Sequence, residues 1–200
     1  LAKEIKNLGF EVAINIMRAS DLSSGDFIRY FDGIEETVDY LYFVDSYGSM
    51  HPGELKLLFK KLQGVTTTAA GFHGHNNIEL AFSNSMQAME CGCSIIDFTV
   101  LGMGRGAGNL KTELFLTHLK RQEGLDVDLN IIGRLVESVY PLKRQYSWGT
   151  NLAYIASGTY SLPQKDVMEA LDLNRYSLTT IVNNIKSKDE IQEPELKLET

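Results

Sequence analysis

The stretch AAGFHGHNNIELAFSNSMQAMECGC, residues 69–93, decides how this chain is read. An apolar run leads into His73 and His75, which flank a single glycine. A segment of helical spacing leads out, with Ile78, Phe82, Met86 and Met89 along one side and Gly92 as its stop. The change of period marks a strand followed by a helix. Two residues apart on a strand, the histidine side chains share one face, with backbones about 7 Å apart. Imidazoles so placed can converge on one divalent ion. The alternative is a pair of hydrogen-bonded histidines where a strand ends.

The same unit recurs on either side. EVAINIM (11–17) reads as a strand and SSGDFIRYFDGIEET (23–37) as helical, with Ser24 or Asp26 able to cap it. VDYLYFVDS (38–46) is nearly all apolar, as expected of a strand buried on both faces. HPGELKLLFKKLQG (51–64) reads as a helix, because Pro52 suits a first turn, Glu54 the N-terminus, and Lys60 and Lys61 the C-terminus. CSIIDFTVLGMG (93–104) reads as a fourth strand and NLKTELFLTHLKRQEG (109–124) as its helix. Strands alternating with helices predict a parallel α/β sheet, open or closed into a barrel. The expected organisation is a partial barrel over 1–125, a helical region over 126–186 and a charged tail over 187–200.

Composition narrows the function classes. The 200 residues are 44% hydrophobic and 22% charged, with a formal net charge of −7. That balance argues against nucleic-acid or anionic-membrane partners, both of which need a positive face. No apolar run approaches the roughly 20 residues of a membrane span, and no basic-then-apolar leader opens the sequence. A cytoplasmic protein is the expectation. Cys91 and Cys93 are too close for an unstrained disulfide and too few for a zinc site, so both are expected reduced.

In parallel α/β folds the functional groups collect at the C-terminal ends of strands. Those ends are residues 17–21, 45–49, 73–77 and 102–109, where polar residues and glycines concentrate. Asp45 and Ser46 suit either turn capping or a hydrogen bond to a substrate carboxylate. GMGRGAGN (102–109) lacks the Gly-Lys-Ser/Thr of a P-loop and is placed too late for a dinucleotide fingerprint. Asn109 suits a helix cap or an oxygen ligand to a metal. No Gly-x-Ser-x-Gly elbow occurs, which excludes that class of serine hydrolase.

Taken together and in order, VDSYGSM, GFHGHNN and DFTVLGMGRGAGN resemble the last strand ends of the metal-dependent lyase superfamily. That superfamily includes hydroxymethylglutaryl-CoA lyase, isopropylmalate synthase and 4-hydroxy-2-oxovalerate aldolase. The aldolase branch is the nearest, since it shares the Gly-Met-Gly-x-Gly-Ala-Gly-Asn loop, whereas the CoA lyases carry a loop cysteine that is absent here. The resemblance covers roughly residues 1–165. It implies a TIM barrel holding Mn²⁺ or Mg²⁺ at its mouth, with His73 and His75 as ligands and Asn109 as a further candidate. Ser46 and Tyr160 match substrate-contacting residues, and Arg105 is a third candidate. Tyr47 and Arg105 stand where such aldolases carry smaller residues, which points to a larger or anionic substrate.

The implied reaction is retro-aldol cleavage of a 4-hydroxy-2-oxo acid to pyruvate and an aldehyde. The implied partners are the small 2-oxo acid, an acylating aldehyde dehydrogenase that takes the aldehyde, and further copies of the chain in a homo-oligomer. The family's arginine, aspartate ligand and histidine base follow strands that precede the region matched here. They are expected upstream of Leu1, and Arg18, at the end of a different strand, does not take the arginine's role. The expectation is therefore the C-terminal half of a (β/α)8 barrel, inactive alone. The alternatives are an acyl-CoA lyase, a Claisen-type condensing enzyme, or a non-catalytic barrel remnant.

Overall fold

Eighteen-odd ångströms of extended chain is about the reach of the apolar run after Val38, and it forms the central strand β2, Tyr40–Asp45. A computed structural model of the chain describes residues 1–196, with side chains through Ser187. Strands β1 (Ala13–Ile16), β3 (Ala69–Gly74) and β4 (Ile95–Ile96) complete a four-stranded sheet in the order β1-β2-β3-β4. Every pairing is parallel, with Ala13 opposite Tyr40, Val44 opposite His73 and Gly71 opposite Ile95. Parallel neighbours need crossovers, and helices supply them. These are α2 (Ser24–Phe31), α3 (Pro52–Gln63) and α4 (Ala81–Glu90), with α1 (Ala2–Asn7) before the sheet.

One face of the sheet packs on those helices. Leu41, Phe43, Ala70 and Phe72 join Phe27, Phe31, Leu55 and Phe59 in a single buried cluster. The Phe43 and Phe59 rings stand edge to face at 5.5 Å. By strand alternation the other face carries Asn15, Tyr42, Gly71 and His73. The Tyr42 ring lies over Gly71, where a Cβ would stand 2.6 Å from it, so only glycine fits there. Strands β1 and β4 are the two edges of the sheet, each paired on one side.

Several local expectations are corrected. The cap of α2 is Ser23, not Ser24, and Asp26 completes a capping box with it. Helix α4 begins at Ala81, so Ile78 belongs to the preceding turn, while Phe82, Met86 and Met89 do line one side and pack near Leu110 and Phe115. The fourth strand is two residues long, because the chain turns into a 3₁₀ segment at Val100–Gly102 with Leu101 at φ 55°. Cys91 and Cys93 are both free thiols. Cys93 Sγ lies 3.2 Å from the Ala70 carbonyl and 3.1 Å from that of Ile95, and burial pushes its pKa to about 11.

Beyond α5 (Thr112–Gln122) the chain is helical: α6 (Leu129–Tyr146), α7 (Leu152–Thr159), α8 (Gln164–Asp172) and α9 (Leu178–Leu196). The charged tail read over 187–200 falls on the backbone of α9 up to Leu196, and residues 197–200 lie outside the described residues. Tyr154, Leu162, Val167, Ile181 and Ile185 form a second core that closes over Ala107 of the glycine loop. Trp148 Nε1 donates to the Leu101 carbonyl at 2.9 Å, and Gly149 N to that of Gly106 at 2.9 Å. The helical region is thereby seated on the strand ends. Among the described residues no helix is long and apolar enough to cross a membrane.

Candidate active site

Strand β3 carries His73 inside its last turn of pleat and His75 just past its end. The two rings meet edge to face at 5.0 Å. Each ring is oriented through Nδ1. His75 Nδ1 lies 2.8 Å from the Asp45 carbonyl, which only accepts, so this nitrogen carries the proton. His73 Nδ1 lies 3.1 Å from Asp97 Oδ2, and the carboxylate likewise accepts. In the neutral form of each ring Nε2 then keeps its lone pair, the arrangement by which metal-binding histidines are usually held. Burial lowers the pKa of His75, with His73 and Arg105 adding to the effect and the Asp45 bond opposing it. The neutral, ligating form of His75 is favoured.

Asn109 stands beside this pair, since residue 109 forms a bridge with residue 75. Its Nδ2 donates to the Met103 carbonyl at 3.0 Å, while its Oδ1 is buried with no hydrogen-bond partner. That oxygen is one of three buried amide oxygens without a partner among the described residues, with those of Asn77 and Asn84, and together with the two imidazoles it could contribute to a donor set for a divalent ion. The capping role is not realised: α5 starts at Thr112, and Lys111 occupies its N-cap. Asn109 reaches this position because the loop doubles back, with Asn109 N donating to the Gly102 carbonyl at 3.0 Å. Gly108 makes the fold-back feasible. It has φ +78°, and a Cβ there would collide with the Gly102 carbonyl oxygen.

The end of β2 behaves differently. Asp45 is 1% exposed and accepts from Ser49 N at 3.0 Å and Met50 N at 3.2 Å. It is a turn cap, as the first of its two sequence readings held. Burial raises its pKa to about 6 against the pull of those backbone bonds. Ser46 Oγ accepts from Arg18 N at 2.8 Å, which pins the end of β1 to that of β2. Arg18 itself sits at φ 54°, pairs with Asp21 at 2.6 Å and lies 5.4 Å from the Tyr47 ring centre. The guanidinium pairs within that cluster, and Arg18 also lines the cleft at these strand ends.

A cleft of about 450 Å³ opens over these strand ends, lined by Met17, Ser46, His75, Arg105, Gln164 and Lys165 among others. The fold therefore gathers Ser46, His75 and Arg105, candidates from three strand ends, around one space. Tyr160 is placed elsewhere: it ends α7 and packs against the second core, outside the lining of this cleft. Among the described residues no three His, Cys, Asp or Glu side chains form a complete metal set.

Two residues of the site escape the sequence reading. Asp97 is one, although the register offered a signal: Ile95 faces Gly71, so Asp97 continues the row beside His73. Gln164 is the other. It is 8% exposed, and its Oε1 accepts from Ala107 N at 3.3 Å, which ties α8 to the glycine loop. No pattern near Pro163 announces that contact.

Comparisons with known proteins agree with this architecture. The HMGL-like family model matches residues 1–138. The chain is 32% identical over 162 residues to a 4-hydroxy-2-oxovalerate aldolase of Bacillus thuringiensis, covering 78% of this chain and 47% of that protein. It is 33% identical over 131 residues to an oxaloacetate decarboxylase of Mycobacterium tuberculosis, covering 65% of this chain and 39% of that one. The chain thus spans less than half the length of these curated relatives. Among solved structures, the N-terminal domain of a candidate aldolase from Bacteroides vulgatus superimposes with a TM-score of 0.83 at 42% identity, over 92% of this chain and 61% of that one. The Bacillus subtilis HMG-CoA lyase shares the fold at a TM-score of 0.59 and 15% identity, over 84% of this chain and 56% of that one. A four-stranded parallel segment of a TIM barrel, with paired histidines at one strand end and a glycine loop at the next, places the chain in the HMGL-like family.

Proposed function

We propose that this chain forms the metal-holding part of an aldolase that cleaves a 4-hydroxy-2-oxo acid to pyruvate and an aldehyde. The observation that carries the reading is the pair of imidazoles oriented through Nδ1, beside the orphan Oδ1 of Asn109. His73, His75 and Asn109 would hold Mn²⁺ or Mg²⁺, which when bound supplies Lewis-acid polarisation of a 2-oxo acid. The remaining chemistry assigned to this chain is binding and orientation. Ser46 Oγ already accepts from Arg18 N, so its O–H is free to donate to a substrate carboxylate. Arg105 adds a positive charge to the cleft wall, which favours an acidic substrate. Gln164 and Pro163, at the start of α8, roof the same space and limit access of water.

The similarity to an oxaloacetate decarboxylase favours a second reading. Decarboxylation of oxaloacetate and retro-aldol cleavage both release the enolate of pyruvate, so one electrophilic site serves either. The test is pyruvate release with Mn²⁺, from a panel of 4-hydroxy-2-oxo acids and from oxaloacetate. It compares the chain extended to the length of its relatives with the 200-residue chain alone. The aldolase reading expects turnover of the hydroxy acids by the extended protein and none by the short chain, because four strands do not close a barrel. Turnover of oxaloacetate alone would select the second reading. Full activity in the short chain would overturn the assignment of catalytic groups to other sequence.

A further inference from the structure

A second cleft, of about 370 Å³, lies between the glycine loop, the end of α6 and the start of α7. Its lining is polar and includes Lys111, Lys143, Asn76, Asn151, Ser147 and Trp148. Neither lysine makes an ion pair or a side-chain hydrogen bond among the described residues. Two of the three lining asparagines, Asn76 and Asn151, have spent their acceptor ends. Asn76 Oδ1 accepts from Ala81 N at 3.3 Å, and Asn151 Oδ1 accepts from Ala153 N and Tyr154 N at 2.9 and 3.2 Å. Their amide nitrogens, which only donate, have no protein partner among the described residues. The Ser147 hydroxyl has none either. Glu79 is the only carboxylate in the lining. The cleft therefore holds two unpaired cations and donors in surplus, in a protein of net charge −7.

We propose that this cleft binds a phosphate group, carried by a small phosphorylated molecule or free in solution. Lysines act as point charges toward phosphate, whereas a planar carboxylate is better matched by an arginine fork, and the lining contains no arginine. The positive end of the α7 dipole lies at Asn151, which caps that helix and lines the cleft. Three of the lining residues, Glu79, Leu101 and Ser147, are non-glycine residues at φ 59°, 55° and 52°. Such conformations cost free energy and gather where a site is shaped for a ligand. The volume exceeds that of a bare anion and falls within the range of small-molecule sites. Asn109 lines this cleft, and its backbone bridges that of His75.

Trp148 is the only tryptophan in the chain and reports on the cleft directly. The full chain is titrated with inorganic phosphate and, separately, with glycerol phosphate at constant ionic strength, following tryptophan fluorescence and binding heat. A saturable response to phosphate that chloride does not reproduce is expected. Tighter binding of glycerol phosphate identifies a phosphomonoester as the source, and tighter binding of inorganic phosphate identifies the free ion. The K111Q/K143Q double variant should lose at least tenfold in affinity, with its thermal unfolding midpoint confirming that it folds. The proposal is overturned if neither probe gives a saturable change or heat, if chloride gives the same response, or if the folded double variant binds as the parent does. None of these outcomes depends on aldolase activity.

Discussion

The ends of β2 and β3 lie side by side and both present polar residues to the mouth of the sheet, yet they use them in opposite ways. At the end of β2 the carboxylate of Asp45 is buried and filled by backbone N–H groups, and the Ser46 oxygen is taken by Arg18 N. At the end of β3 each histidine spends one nitrogen on its support and leaves the other. The first arrangement holds loops together and the second leaves a donor for a ligand. A polar residue at a strand end thus marks chemistry only when an atom of it remains uncommitted. Here the two ends are coupled, because the carbonyl of the structural Asp45 orients the ring of His75.

That contrast can be broken at its strongest point first. Replacing His73 or His75 by alanine in the extended enzyme should lower Mn²⁺-dependent pyruvate release by on the order of 10³-fold, about 4 kcal/mol of lost stabilisation. Thermal unfolding of these variants should change little. A large drop in the unfolding midpoint with intact turnover would reverse the roles assigned to the two strand ends.

The next effect belongs to Asp45. Asp45→Ala strands several backbone N–H groups and should cost about 3 kcal/mol of stability in urea unfolding. Its titration gives a second handle. The folded pKa of about 6 lies above the unfolded value of 3.8, so the folded state holds the proton more tightly. The resulting stabilisation is complete below the unfolded value and is lost as pH rises through about 6. Across that window the stability of D45N relative to the parent should rise by about 3 kcal/mol. A difference that is flat between pH 4 and 7 would mean that the carboxylate is solvated.

A smaller change is expected at the support of His73. Asp97→Asn keeps the shape but weakens the acceptor, and should reduce Mn²⁺ affinity about 10–100-fold by isothermal calorimetry, with little change in fold stability. Ser46→Ala, the mildest of the set, removes one hydrogen bond to Arg18 N and should destabilise by about 1 kcal/mol. If Ser46 also contacts substrate, the same variant raises KM in the extended enzyme.

Much of this was legible in the chain. The alternation of β2 and β3 with α3 and α4 follows from apolar runs separated by amphipathic ones, and Pro52 and Glu54 mark the start of α3 where it occurs. The shared face of His73 and His75 needs only the two-residue pleat. What escaped involves partners distant in sequence. Asp97 supports His73 from 24 residues away, Asp45 supports His75 from 30 away, and Gln164 meets Ala107 from 57 away. Asn77 is a sharper case. It falls within the strand-end span 73–77, but it is 0% exposed and donates to Ser157 Oγ and the Tyr154 carbonyl, fastening α7 to the end of β3. Local pattern does not reveal which distant partner such an asparagine meets.

By itself, then, the sequence determined the class of fold, the order of the strands and the paired histidines, because periodicity and turn chemistry are local properties of the chain. Which polar groups stay uncommitted was decided only in three dimensions. The orphan oxygen of Asn109, the committed carboxylate of Asp45 and the donor-lined cleft beneath Trp148 all depend on which distant atoms arrive to pair with them. Hydrogen-bond satisfaction is a property of the packed molecule, and no local stretch of the sequence contains it.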